Sequence, residues 1–261
     1  MDRGTYSSAA AGMLQLSKLE IINNNLANLN TPGFKGQVVV SREGEFKDTL
    51  ASTMKRRTPY AKEDYDRTPG VREVEAITDF RLGPIEQTGQ PLHAALRDPN
   101  EFFVVRSADG PVYTRAGNFT LDSGGRLVTP DGMPVLADGG EIVVNQGIPT
   151  MTSGGFVQVT GLPGGLTQNA GRVQIVRFDD LSQLQRVGAS KFRVPDGTAQ
   201  PEPVANPSVV PKAIETSNIS AIQAIVDLIA TNRGFELYTK TARSIDSMNQ
   251  TAIQRVGRRS A

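Results

Sequence analysis

Few residues in this chain have types and spacings that could do chemistry. His93 is the one histidine, so a Ser-His-Asp relay would have to run through that single ring. It sits in PLHAALRDPNEFF with no serine-elbow motif beside it, and reads as a surface or strand-end residue. Asp179 and Asp180 are the nearest approach to a carboxylate pair. Neighbours on a strand point to opposite faces, so a solvated turn before LSQLQ is the better reading. The glycine pairs build neither G-x-G-x-x-G nor a Walker loop. Asp109, Asp122 and Asp131 recur beside glycines but lack the fixed short period of calcium repeats. With no cysteine, a disulfide, a thiolate zinc site and a cysteine nucleophile are all excluded. The expectation is a protein that is not an enzyme, with no catalytic residue, metal ligand or cofactor.

Charge and hydropathy narrow the partners. Lys+Arg total 28 against 27 for Asp+Glu, a net charge of +1 over 261 residues. That gives no general grip on nucleic acid, and no small-molecule substrate is indicated. The opening MDRGTYSSAAAGMLQLSKLE carries no basic stretch followed by an unbroken apolar run, so no cleaved secretory signal is expected. ISAIQAIVDLIA at 219–230 is interrupted by Gln223 and Asp227, and is shorter than the ~20 apolar residues a spanning helix needs.

The elements that would position any site differ between the ends and the middle. Of 26 glycines, 18 lie between 76 and 215, and of 16 prolines, 15 lie between 59 and 211. Glycine and proline punctuate local structure, so the chain reads as helical ends around a turn-rich β middle. Tyr6, Ala9, Met13, Leu16, Leu19, Ile22, Leu26 and Leu29 follow one another at three or four residues, which predicts a helix over 4–30. It ends at Asn30-Thr31-Pro32-Gly33-Phe34. Pro32-Gly33 suits the centre of a type II turn, with positive φ at Gly33. On φ alone, asparagine should replace that glycine more mildly than valine.

The C-terminal segment predicts a second helix over 218–256, capped by Ser217 or Asn218. Ile225, Leu228, Phe235, Tyr238, Ala242, Ile245, Met248, Ala252 and Val256 mark a stripe close to a heptad seam, and Gly234 is a soft point in it. Two helices pairing alone would bury one face of each, so further burial should come from neighbouring copies or partners. The segment 41–75 is polar and mixed in charge, and reads as an extended arm or solvated loop. Residues 76–210 hold short strand-like runs such as EFFVVRS, GFVQVTG and RVQIVRF. Turns such as Asp109-Gly110 separate them, and a small sandwich or barrel is expected.

Three stretches carry a resemblance. NNNLANLNTPGFK at 23–35 resembles the N-terminal signature of bacterial flagellar axial proteins: rod, hook and hook-associated proteins. The matching residues are Asn24, Asn25, Leu26, Ala27, Asn28, Thr31, Gly33, Phe34 and Lys35. FFVVRSADGPVYTRAGNFTLDSGGRLVTPDGMPVL resembles the β-domain core of that family. ETSNISAIQAIVDLIATNRGFELYTKTARSIDSMNQTAI resembles its C-terminal block. One stretch departs from the pattern. LHAALRDPNEFF stands where the family commonly has LDVAI-x-G-x-GFF, with His93 for the acid and Asp98 and Asn100 at the glycine positions. The turn before Phe102 is where this chain should differ.

The resemblance implies an α+β fold. Residues 1–34 and 211–261 would be axial helices paired as a coiled-coil layer (D0), 35–79 an extended connecting arm, and 80–210 a β-rich outer domain (D1). It implies assembly through Met13, Leu16, Leu19, Ile22, Leu26 and Leu29 on one helix, and Ile225, Leu228, Phe235, Tyr238, Ile245 and Met248 on the other. Asn24 and Asn28, four apart, would fix register there. Implied partners are copies of the chain, other rod proteins and the flagellar type III export apparatus. The implied place is the basal-body rod in the periplasmic space. The opening Met1-Asp2 with Tyr6, the moderate length and GMPVLADGGEI are similar to the proximal-rod branch, with the distal-rod branch the close alternative. A secreted binding module on the β domain, or a hydrolase using His93, are the readings from other classes.

Overall fold

A computed structural model of the chain describes residues 3–42, 73–161, 166–195, 197–198 and 200–257. The fold is α+β: helix α1 (Arg3–Ala27), a mostly β middle, and helix α2 (Ala221–Gly257). The chain divides into two compact units. One takes α1 up to Leu26, residues 37–77 and α2, while the other takes 27–36 and 78–220.

In the first unit, α1 ends at Ala27, short of the expected end at residue 30, because the chain is already turning from Asn28 to Gly33. Strands β1 (Gln37–Arg42) and β2 (Glu73–Thr78) pair as a two-stranded sheet. Most of the polar segment 41–75 between them lies outside the described residues. α2 runs without interruption through Gly234. A Cβ at Gly234 would lie 3.4 Å from the side-chain amide of Gln15, so the two helices approach to side-chain contact there. That distance is ordinary van der Waals contact. Gly234→Ala should therefore fit and stabilise the unit by about 1 kcal/mol through helix propensity. Thermal unfolding followed by helical circular dichroism checks this, and a drop in midpoint would mean that the approach is tighter than drawn.

α2 starts three residues later than the expected cap. Asn218 is engaged elsewhere: its side chain takes the Gly36 N–H at 2.8 Å and donates to the Asp79 carbonyl at 2.8 Å. Ser217 Oγ accepts only a long 3.4 Å bond from Ile219 N.

The second unit is built on one six-stranded antiparallel sheet. Its order is Gln185–Arg186, Lys191–Arg193, β6 (Gly110–Thr114), β5 (Glu101–Ser107), Ile175–Arg177 and Glu202–Pro203. Side chains on a strand alternate between faces, yet EFFVV in β5 is buried throughout. Both faces of β5 are therefore covered. Phe103 and Val105 enter a core with Leu96, Phe119, Leu127, Val135, Ile142 and Val157. Phe102 and Val104 enter a second core with Tyr113, Val176, Phe178, Leu184 and Phe192. Phe102 meets Phe178 edge-on at 5.5 Å and Phe192 at 6.0 Å, the arrangement that ring quadrupoles favour.

The turn before Phe102 is closed by a side chain. Asp98 Oδ1 accepts the Asn100 N–H at 2.9 Å, an Asx turn that does without the glycines. Asp180 caps a single 3-10 turn (Leu181–Gln183), accepting from Ser182 N at 2.9 Å and Ser182 Oγ at 2.7 Å. These bonds, the Ser182 hydroxyl first, hold its carboxyl below the usual range.

The chain between the six-stranded sheet and α2 contributes further paired strands. Val209–Pro211 pairs with β4 (Ala94–Leu96), and Ala213–Glu215 pairs with β3 (Ile85–Gln87). Lys212 between them has φ 57, the one positive φ among described non-glycine residues, and there the chain changes partner.

Candidate functional site: a buried charged junction

Three separated segments meet in the second unit: 31–36 after α1, the Arg115 region after β6, and 213–218 before α2. Thr31 to Phe34 form the turn predicted from Pro32-Gly33. Phe34 N donates to Thr31 O at 3.2 Å, and Gly33 has φ 66. Gly33 N donates to Glu215 O at 2.8 Å. A Cβ on Gly33 would sit 2.7 Å from Ala116 Cα and closer still to the Ala116 nitrogen and the Arg115 carbonyl carbon. Asparagine, expected to be milder than valine on φ, meets the same backbone with its Cβ. Glycine is required here for space as well as for φ.

The turn delivers Phe34 and Lys35 inward, both fully buried. The Phe34 ring lies under the Arg186 guanidinium, 4.9 Å from its centroid, and Phe192 takes the same cation at 5.3 Å. Arg186 also donates to the Lys35 and Ala189 carbonyls. Burial pushes Arg186 down to about 10, so it stays charged at neutral pH.

Lys35 ends in an ionic cluster whose three side chains have no solvent exposure. Lys35 Nζ donates to Glu215 Oε1 at 2.6 Å and to Arg81 O at 2.7 Å. Gly83 N donates to the same Oε1 at 3.0 Å. Glu215 Oε2 accepts from Arg115 Nε at 2.8 Å and lies 2.7 Å from Nη2. The rest of the guanidinium goes to main-chain carbonyls: Nη1 to Asp98 and Glu101, both at 2.5 Å, and Nη2 to Leu96 at 2.9 Å. Two cations face one carboxylate, and the carbonyl dipoles carry the remainder. Desolvation lowers the Lys35 pKa, and the Glu215 carboxylate opposes that shift.

Glu101 adjoins the cluster. It is 5% exposed, and its Oε2 finds no partner among the described residues. Burial first, then the Asp98 charge, raise its pKa above the ordinary 4.5. A raised folded-state pKa means that the native chain holds the proton more tightly than the unfolded one. This contribution is complete below 4.5 and is lost as pH rises through the folded value. Urea midpoints across that window should fall more steeply with pH in the wild type than in Glu101→Gln. Parallel curves would show that Glu101 is not the source.

The other sequence-predicted residues are spread along the two helices. On α1, Leu19, Ile22 and Leu26 are half-buried, as is Leu29 beyond its end, while Met13 and Leu16 are exposed; among its described side chains the buried apolar residue is Leu14, which the stripe omitted. On α2, Leu228, Phe235 and Ile245 are half-buried, whereas Ile225, Tyr238 and Met248 are exposed. In the signature, Asn24 and Ala27 are exposed, Asn28 and Thr31 half-buried, and Asn25, Gly33, Phe34 and Lys35 buried. Asn25 pairs with the Gln37 backbone in both directions: Nδ2 donates to Gln37 O at 2.8 Å and Oδ1 accepts Gln37 N at 3.0 Å. Thr31 Oγ1 donates to Asn28 Oδ1 at 3.1 Å.

His93 bridges Asn118 in backbone pairing, and its Nδ1 lies 2.8 Å from Thr88 Oγ1. Desolvation lowers its pKa. Among the described residues, no group of three or more His, Cys, Asp or Glu could hold a metal ion, and no helix is long and apolar enough to cross a membrane.

Nothing local in the sequence marks Arg115 or Glu215 as buried charges, and Asn218 reads there as a helix cap. The available signal was alternation. Ala213 and Glu215 share a face while Ile214 faces the other way, so Glu215 shares the inward side of a strand with an alanine.

This junction joins the three stretches that carried the resemblance, and comparison with known proteins agrees. Residues 6–35 match the family described as Flagella basal body rod protein. Residues 98–164 match Flagellar hook protein FlgE/F/G D1 domain, and 210–255 match Flagellar basal body rod FlgEFG protein C-terminal. The flagellar basal-body rod protein FlgF of Caulobacter vibrioides is 31% identical over 261 residues, covering 99% of both chains. FlgG of the same bacterium is 30% identical, covering 95% of this chain and 97% of its own. FlgG of Bacillus subtilis is 29% identical, covering 97% and 98%. On these matches the chain belongs to the flagellar basal-body rod protein family, whose members are structural proteins and not enzymes.

Proposed function

We propose that this chain is a structural subunit of the proximal segment of the flagellar rod. It assembles with copies of itself and with other rod proteins into a helical tube that transmits motor torque to the hook. The observation that carries this is an unbroken α2 with Ile222, Ile225, Val226 and Ile229 all exposed on one stretch of helix. Such a stripe needs a covering, and a heterologous contact that does not close on itself supplies one while generating an open tube. Coiled-coil packing of the terminal helices with those of neighbouring subunits would provide stiffness. Met13 and Leu16 on α1, and Ile225, Tyr238 and Met248 on α2, are the exposed members that would meet those neighbours. Export through the flagellar type III apparatus and residence in the periplasmic part of the basal body belong to the same reading.

The FlgG relatives, at almost the same identity as the FlgF ones, support the distal segment as a second reading. Subtomogram averaging of basal bodies with a density tag on the β unit separates the two. Tag density near the membrane ring supports the proximal segment, and density next to the hook moves the chain to the distal one. A tag absent from the rod overturns both.

A further inference from the structure

We propose that the Lys35–Glu215–Arg115 cluster is a register device. It holds the three-residue strand Ala213–Glu215 in one pairing with β3, and assembly requires that register more than folding does. This rests on the reading of the chain as a rod subunit.

The strand is short and its partner brings no buried residue to the pairing, since Ile85, Glu86 and Gln87 are all exposed. Register is weakly specified where no buried face selects it, and a slip by one residue turns every side chain to the opposite side. The hydrophobic pattern here argues for the wrong choice. A slip would bring Ile214, now half-buried, to the inward face in place of the carboxylate of Glu215. What opposes that slip is directional. Glu215 receives Lys35 and Gly83 N on one oxygen and Arg115 on the other, and both cations are fixed in turn on the carbonyls of Arg81, Leu96, Asp98 and Glu101. An apolar trio could fill the same volume without naming a register, because burial is not directional. A buried ionic triad replaced by packed apolar residues commonly keeps or gains stability, so its role is sought in specificity. The segments it joins lead directly into α1 and α2, the elements proposed to make the subunit contacts.

The test uses the full chain carrying Lys35→Met, Arg115→Met and Glu215→Leu together. The urea midpoint is expected at or above that of the wild type, while swimming and rod formation in a deletion strain are lost. Register is read separately, because the chain has no cysteine of its own. Ile214 lies opposite Glu86, so Glu86→Cys with Ile214→Cys should cross-link in the native cluster. In the triple variant that yield should fall, and Glu86→Cys with Ala213→Cys should close instead. A triple variant that swims normally, or that keeps the native cross-link, overturns the proposal. So does one whose midpoint drops as far as that of Glu215→Leu alone, because the charges would then be holding the fold itself. A wild-type copy that fails to restore swimming overturns the rod reading instead, so the two failures are distinguishable.

Discussion

Glu215→Leu should lower the unfolding free energy by about 3–5 kcal/mol, the usual effect of removing one partner from a buried ionic group. The loss arises from what remains. Lys35 and Arg115 have no solvent exposure. Without the carboxylate, each keeps only main-chain carbonyls, and the two cations repel across the vacated space. Lys35→Met should do less damage, because Glu215 retains Arg115 and the Gly83 N–H. Urea titrations of both variants, followed by a probe in the β unit, check the order. Equal small losses would mean that water reaches the cluster and screens it.

Gly33 should tolerate no side chain. At φ 66, valine pays for a conformation that β-branched residues avoid, and any Cβ also meets the Ala116 backbone at 2.7 Å or less. Gly33→Val should detach the 31–36 turn, withdraw Phe34 from its place under Arg186 and take Lys35 from Glu215. The loss approaches that of a large-to-small change at Phe34, ~3–5 kcal/mol. Gly33→Asn relieves only the φ part, so it should also fail. Swimming and urea midpoint are measured for both. If Gly33→Asn behaves like wild type, Ala116 is not packed against this turn.

The turn was legible in the sequence because it is local: proline fixes one dihedral, glycine permits the next, and four residues suffice. The helices were legible for the same reason, and so were strands such as β5, whose apolar run is bounded by polar residues. The cluster was not legible. Lys35 and Glu215 are 180 residues apart and Arg115 lies 100 from Glu215, and isolated charges read as solvated wherever they stand. Only the folded backbone shows that they share one volume. Asn218 misled for a related reason: a polar residue before a helical stripe suits a cap, but here tertiary partners in Gly36 and Asp79 take its side chain. Leu14 escaped because the three- and four-residue spacing passes through Met13, one position before it, and Leu16, two positions after it.

The central claim is that the signature after α1 and the block before α2 are fixed on the same β unit through Glu215, and that this unit enters the rod intact. A side-chain-resolution cryo-EM map of the assembled rod tests it most directly. The account predicts that each copy of this chain keeps residues 31–36 on its own β unit, with the Glu215 carboxylate between Lys35 and Arg115. A rod in which that segment docks on a neighbouring subunit, or in which Glu215 faces solvent while the subunits are fully assembled, would contradict it.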